Sequence, residues 1–196
     1  RYGEEPEIGS YYVAVDLAGF EEVAKQAANS KKRLDQTAIS VVKVTDDGKW
    51  FVKEIEYGRW DVRETASKIL LKMRDYRPMS VGIEKGALKN AVLPYLSDLM
   101  RKSNVYSHIV DLTHGNRKKA DRIIWSLQGR FEHGRIVLNS EENWDEFIDQ
   151  LLLFPSIGVH DDLIDSLSYI DQLAVTSYFV DDQEDDWEPV DVISGV

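Results

Sequence analysis

Apolar residues in this chain fall into short continuous runs and helical stripes that follow one another. Tyr11-Tyr12-Val13-Ala14-Val15 is an apolar run closed by Asp16, the pattern of a strand buried on both faces. A polar, partly helical insertion, Phe20 to Arg33, separates it from a second strand, Thr37 to Val44. Asp46-Asp47-Gly48-Lys49 then reads as a hairpin turn into a third strand, Trp50 to Tyr57. Asp61 with Glu64 three residues on has the form of a capping box, and Val62, Ala66, Ile69, Leu70 and Met73 supply the apolar face of the helix that follows. Pro78 ends that helix and leads into a fourth strand, Met79 to Glu84.

Downstream, the pattern predicts a helix over Leu88 to Lys102, kinked or delayed by Pro94, and a fifth strand, Val105 to Leu112. A basic helical stretch from Asn116 to Glu132, a short strand from Arg135 to Leu138 and a helix from Glu141 to Phe154 come next. The last helix runs from Asp161 to Tyr178. Three strands in succession followed by strand–helix–strand units require a mixed sheet. Its parallel neighbours need helical crossovers, so the expected α/β fold is a central sheet with helices on both faces. The domain spans residues 11–180. Residues 1–10, with Gly3, Pro6 and Gly9, read as a linker or frayed end, and 181–196 as an acidic, disordered tail.

Composition narrows the chemistry. The chain has 196 residues, enough for one domain with a core, and no apolar run approaches a membrane span. It contains no cysteine, which excludes disulfides and thiolate metal sites. The N-terminus, Arg1-Tyr2-Gly3-Glu4-Glu5-Pro6, has neither a signal-peptide pattern nor an initiator Met, so a piece of a longer protein is expected. A net charge of −11 argues at first against a nucleic-acid partner, but seven of the acids, with no Lys or Arg, lie in residues 181–196. Local patches therefore matter more than the total.

The acids carry the chemistry. Asp16 closes the first strand, Glu84 closes Ser80-Val81-Gly82-Ile83, and Asp161, Asp162 and Asp165 open the last helix. A carboxylate at the end of a buried strand needs a positive partner. Three such sites in one domain point to a shared one, and a pair of divalent ions supplies it. Two-metal phosphodiester hydrolysis needs three or four convergent carboxylates, with hard cations held by oxygen ligands. In the last helix, the 162/165 and 161/165 spacings put the acids on one face, while Leu163, Ile164, Leu167 and Ile170 pack the other. Helix capping is the alternative for Asp161, and an ordinary polar strand end for Asp16 or Glu84.

Val15-Asp16-Leu17-Ala18-Gly19, Val81-Gly82-Ile83-Glu84 and His160-Asp161-Asp162-Leu163-Ile164-Asp165-Ser166-Leu167 resemble the three motifs of the nuclease domain of viral, tailed-bacteriophage DNA-packaging terminase large subunits. Lys119 to Ile123 and Gly129 to Ile136 resemble the segment between its second and third motifs, so the similarity spans roughly residues 11–175. The resemblance implies an RNase H-like fold of the ribonuclease H, resolvase and integrase type. It also implies a metal-dependent endonuclease that cuts concatemeric double-stranded viral DNA during genome packaging. By the same resemblance, two ions (Mg2+ or Mn2+) would be held by Asp16, Glu84 and one of Asp161 and Asp162, with Asp165 a weaker candidate. The implied partners are an ATPase motor domain, whose Gly-x-x-x-x-Gly-Lys-Ser/Thr loop is absent from this chain, a portal protein and a small terminase subunit. The implied location is the host cell cytoplasm.

Arg117, Lys118, Lys119, Arg122 and Arg130 form a basic stretch suited to phosphate contacts that carry affinity without sequence reading. On a helix Lys118 and Arg122 would share a face, with Ile123, Ile124 and Leu127 turned to the core. A solvated helix face is the simpler reading of the same charges. Lys31-Lys32-Arg33 is a second basic candidate, and Lys85 could reach a phosphate or a neighbouring carboxylate. His160 could orient an acid or move protons. Trp50, Trp60 and Trp125 read as core or strand aromatics. The acidic tail could solubilise, dock on the portal or mimic DNA. Competing functions are a Holliday junction resolvase, an actin-like or sugar-kinase-like phosphate-binding fold suggested by Asp16-Leu17-Ala18-Gly19, and a non-catalytic module for DNA binding or portal docking.

Overall fold

Strands and helices form where the apolar pattern places them. The structure, a computed structural model, describes residues 1–19, 36–113, 118–156 and 160–174. The Phe20–Arg33 insertion, Lys31-Lys32-Arg33, Arg117 and the acidic tail lie outside the described residues. Seven strands make one sheet: β1 (Tyr2–Gly3), β2 (Ser10–Asp16), β3 (Thr37–Val44), β4 (Trp50–Gly58), β5 (Ser80–Glu84), β6 (His108–Leu112) and β7 (Ile136–Asn139). Their spatial order is β1-β7-β4-β3-β2-β5-β6. The β2–β3–β4 meander is antiparallel, whereas β5 pairs parallel with both β2 and β6 and β7 pairs parallel with β4. The sheet is thus mixed.

The helices are α1 (Val62–Tyr76), α2 (Ala87–Ser103), α3 (Lys119–Glu132), α4 (Asp145–Leu153) and α5 (Asp162–Ser168). Residue parity along β2 divides the core into two layers. Val13 and Val15 face α1 and α2, in a cluster with Ile39, Val41, Ile69, Met73, Val81, Ile83, Val92 and Leu96. Tyr12 and Ala14 face the other way and pack with Trp50, Ile123, Leu127, Phe147, Leu163, Ile164 and Leu167 from α3, α4 and α5. Helices therefore cover both faces. Asp16 shares the parity of Ala14, and Glu84 that of Gly82, so both end their strands on the α5 side.

Small residues let α5 sit close to the sheet there. Ala14 and Ser40 are paired across β2 and β3, Asp16 pairs with Ala38, and the hydroxyls of Ser40 and Ser166 meet at 2.7 Å. Gly82 completes this floor, because a Cβ there would come within 2.6 Å of the Leu112 side chain. The start of α5 is fixed from α4, where buried Gln150 accepts the Leu163 N–H at 3.0 Å.

Several boundaries differ from the sequence reading. Tyr2–Gly3, expected as linker, pair with β7, and the ladder extends through Leu138 N–H to Arg1 carbonyl at 2.9 Å. Glu5 further ties this segment down through Lys43 and Lys53, both at 3.1 Å. The fifth strand starts at His108 rather than Val105, because Asn104 ends α2 in the left-handed region and the Val105 N–H returns to the Met100 carbonyl. Helix α2 runs through Pro94. The last helix breaks with a turn at Tyr169 before residues 170–174 resume helical form.

Asp61 caps α1 as anticipated, accepting the Glu64 N–H at 2.8 Å. Asp61→Ala should cost about 1 kcal/mol, the usual value of an N-cap. Leu167→Ala, which empties a fully buried position under α5, should cost about 2–5 kcal/mol. Urea denaturation of the two variants checks both magnitudes and their order.

Candidate active site

β2 and β5 run parallel in register up to Val15 opposite Ile83, so Asp16 and Glu84 emerge side by side at neighbouring strand ends. A hydrogen bond joins their carboxyl groups. Burial pushes the Asp16 carboxyl up, the charge of Asp165 adds to this, the Lys119 ammonium opposes it, and Glu84 adds again. The net result lies well above the ordinary carboxylate range. Burial and the neighbouring acids outweigh the one ammonium that acts on Asp16.

α5 brings the remaining acids across the strand ends. Asp165 is 1 % exposed. Its Oδ1 accepts Arg122 Nη2 at 2.6 Å and its Oδ2 meets Lys119 Nζ at 2.9 Å. Lys119 Nζ also donates to Asp161 Oδ1 at 2.7 Å. Burial alone would lower the Lys119 ammonium's pKa, but Asp165, Asp161 and Asp16 outweigh it and raise it above its ordinary value. Asp162, although adjacent to Asp161, turns elsewhere: its Oδ2 accepts the Gln36 N–H at 3.0 Å and faces His160 Nδ1 at 3.3 Å. His160 thus touches an acid of the cluster, as the orienting role requires.

This arrangement reorders the acids. Asp165, the weaker candidate by sequence, is the helix acid that acts most strongly on Asp16. Asp161 occupies the cap position but makes no capping hydrogen bond with its side chain, so capping does not account for it.

The basic stretch also divides differently from the expectation. α3 lies against α5, and Lys119, Arg122 and Arg130 point at its acids and those that follow. Arg122 is buried, stacks 4.1 Å from the Tyr169 ring centre and donates to Ser168 Oγ at 2.8 Å. Arg130 pairs with Asp171 at 2.7 Å and lies over Trp50. Arg122 and Lys118 therefore do not share an exposed face, because an acidic helix is the stronger partner for a buried guanidinium. Lys118 and Lys85 remain exposed. Trp50 is buried and Trp60 half-buried, whereas Trp125 is 74 % exposed and Ile124 39 % exposed. Both had been assigned inward; α3 buries the Arg122–Ile123–Ser126–Leu127 face instead. Gln150, Tyr169 and the Ser40–Ser166 contact support the site without any signal in the sequence, because each acts through a partner distant in the chain.

The donor set is carboxylate oxygen throughout, which suits a hard divalent cation. Its crowding, with the Asp16 carboxyl raised by burial and by the charge of Asp165, fits such an ion as well. Among the described residues no three acids or histidines already converge on one point. Asp161 and Asp165 converge on the Lys119 ammonium instead. Among the described residues no helix is long and apolar enough to cross a membrane.

Neither a family model nor a curated protein matches the chain by sequence. Solved structures do match by fold. The large terminase nuclease of thermophilic phage G20c superposes with a TM-score of 0.56 at 15% identity, covering 86% of this chain and 83% of that one. The same nuclease with bound magnesium gives 0.54. The nuclease domain of the large terminase subunit gp2 of bacterial virus Sf6 gives 0.53 at 9% identity, covering 83% and 88%. The yeast mitochondrial Holliday junction resolvase Ydc2 gives 0.50 at 11% identity, covering 89% and 84%. The fold is RNase H-like, as the motif resemblance implied, and it is one that nucleases use.

Because the raised Asp16 carboxyl binds its proton more tightly in the folded protein than in the unfolded chain, its contribution to stability is complete at pH below the unfolded carboxylate value. It is lost as pH rises through the folded value. Asp16→Asn keeps a donor toward Glu84 without needing a proton. In EDTA at pH 7 it should melt a few degrees above the parent, about 2–4 °C for each kcal/mol recovered. The gap should close toward pH 4. Thermal melts across that range check the sign.

Proposed function

We propose that the domain is a divalent-metal-dependent endonuclease acting on double-stranded DNA, and that it serves the cutting step of viral genome packaging. The observation that carries this reading is the emergence of Asp16 and Glu84 side by side at adjacent parallel strand ends, with the buried Asp165 of α5 near enough for its charge to act on Asp16. Asp16, Glu84 and Asp165 are the proposed common ligands of two magnesium or manganese ions, with Asp161 or Asp162 as a fourth. When bound, the ions would supply an acidified water and stabilise the leaving oxygen. Asp16, whose carboxyl is raised by burial, would bind an ion as the carboxylate. Arg122 would hold the Asp165 carboxylate in place from behind, its guanidinium fixed by Tyr169 and Ser168. His160 and the Gln36 N–H would do the same for Asp162. The exposed Lys85 and Lys118 flank these acids in sequence and would contact phosphates without reading bases.

Two features support the nucleic-acid reading despite the acidic total. The structural relatives named above are nucleases, one of them magnesium-bound. The deficit of positive charge lies at the acid cluster itself, where a cation would restore attraction for phosphate. A resolvase reading has support from the fold shared with the yeast enzyme.

Supercoiled plasmid incubated with the domain should be nicked and linearised with Mg2+ or Mn2+ and left intact with EDTA. Asp16→Asn and Asp165→Asn should each lower the rate by more than about 100-fold, beyond the effect of an outer-shell change. Asp161→Asn beside Asp162→Asn identifies the fourth ligand by which one loses cleavage. A strong preference for a four-way junction over duplex would replace packaging with junction resolution, and cleavage that survives Asp16→Asn would refute the site.

A further inference from the structure

Lys119 was read from the sequence as a DNA contact, but its ammonium is engaged inside the acid cluster. It lies 2.7 Å from Asp161 Oδ1 and 2.9 Å from Asp165 Oδ2, and its charge also acts on Asp16. We propose that Lys119 is the built-in counter-cation of the acid cluster, holding the acids of α5 together and competing with a divalent ion for them. This rests on the metal-ion reading given above.

Three observations carry it. First, Arg122 already satisfies Asp165 Oδ1 from the interior, so Lys119 serves the opposite oxygen and links it to Asp161 Oδ1. Arg122 is buried and fixed by stacking, whereas the Lys119 side chain is 41% exposed. One cation is thus structural and the other is free to leave. Second, Lys119 is the first residue of α3, so its side chain can be displaced without moving the buried Ile123 and Leu127. It also lines a cleft of about 190 Å³ bounded by Phe154, Pro155 and His160, which gives a displaced side chain somewhere to go. Third, the acids converge on the ammonium rather than on a common point among themselves, so ligation of an ion requires that the ammonium withdraw. A flexible point charge on a four-carbon stem suits such a role better than a guanidinium fork.

Displacement would link cutting to metal supply. While Lys119 is in place the cluster is assembled but closed to the ion. On withdrawal the same ammonium stands beside the site, within reach of a phosphate.

The test compares the parent domain with Lys119→Met and Lys119→Arg, using Mn2+ alone as the probe. Calorimetric titration should show Mn2+ binding about tenfold tighter to Lys119→Met, within the usual range for coupling between two ligands. In EDTA the same variant should melt below the parent, and Lys119→Arg should restore both the melting temperature and the weaker Mn2+ binding. Circular dichroism confirms that each variant is folded before it is titrated. Parent binding of Mn2+ with unchanged or weaker affinity in Lys119→Met would overturn the proposal while leaving the metal site standing. Loss of DNA affinity in Lys119→Met at unchanged Mn2+ affinity would restore the phosphate-contact role in its place. No Mn2+ binding by the parent or by Lys119→Met would overturn both this proposal and the metal-ion reading.

Discussion

The rest of the site depends on the burial of one carboxylate. Asp165 is almost wholly enclosed between α5, α3 and the strand ends, and an isolated charge there would be untenable. Arg122 and Lys119 make it tenable, one on each oxygen. Their common origin on α3 means that the helix–helix contact and the acidic centre are a single arrangement. Moving α3 away from α5 would expose apolar surface and at the same time strip Asp165 of its partners. The stack of Arg122 on Tyr169 extends this coupling to the turn that ends α5.

The sheet contributes rigidity of a different kind. Asp16 and Glu84 cannot avoid each other, because a parallel register fixes them on adjacent strands about 4.8 Å apart. That proximity raises the Asp16 carboxyl and costs stability at neutral pH. Small residues at 14, 38, 40 and 82 hold α5 close enough for its acids to join the pair. A site that opposes its own fold in this way is common where function requires concentrated charge. Elsewhere Lys72 pairs with Glu54 and Glu56, and Lys89 with Asp111, so those acids each have a cation beside them.

The division of the basic stretch bears on how DNA would be met. Three of its members are spent on Asp161, Asp165 and Asp171, so its count of positive charges overstates its attraction for phosphate. The exposed Lys118 and Lys85 adjoin Lys119 and Glu84 in the sequence. Under the metal-ion reading the cluster changes sign locally on loading, which would make metal binding and DNA approach mutually supportive.

Much of this was legible in the sequence. The strand β3 has the limits that its apolar run indicated, Asp61 caps the helix that its spacing announced, and Asp16, Glu84 and the acids of α5 stand at element ends where carboxylates need a reason to be. Those features are local: an apolar run, a turn or a cap depends on residues within a few positions of one another. The basic stretch and the acids of the last helix were likewise legible as local clusters of charge. Which acid faces which base was decided by the tertiary structure alone. Asp161 and Asp162 are neighbours with the same chemistry, yet one meets Lys119 and the other meets Gln36 and His160. Arg122 and Lys118 look equivalent on a helical wheel, yet one is buried and the other exposed. The direction of a side chain is fixed by the packing of elements far apart in the chain, and a one-dimensional pattern does not contain that packing.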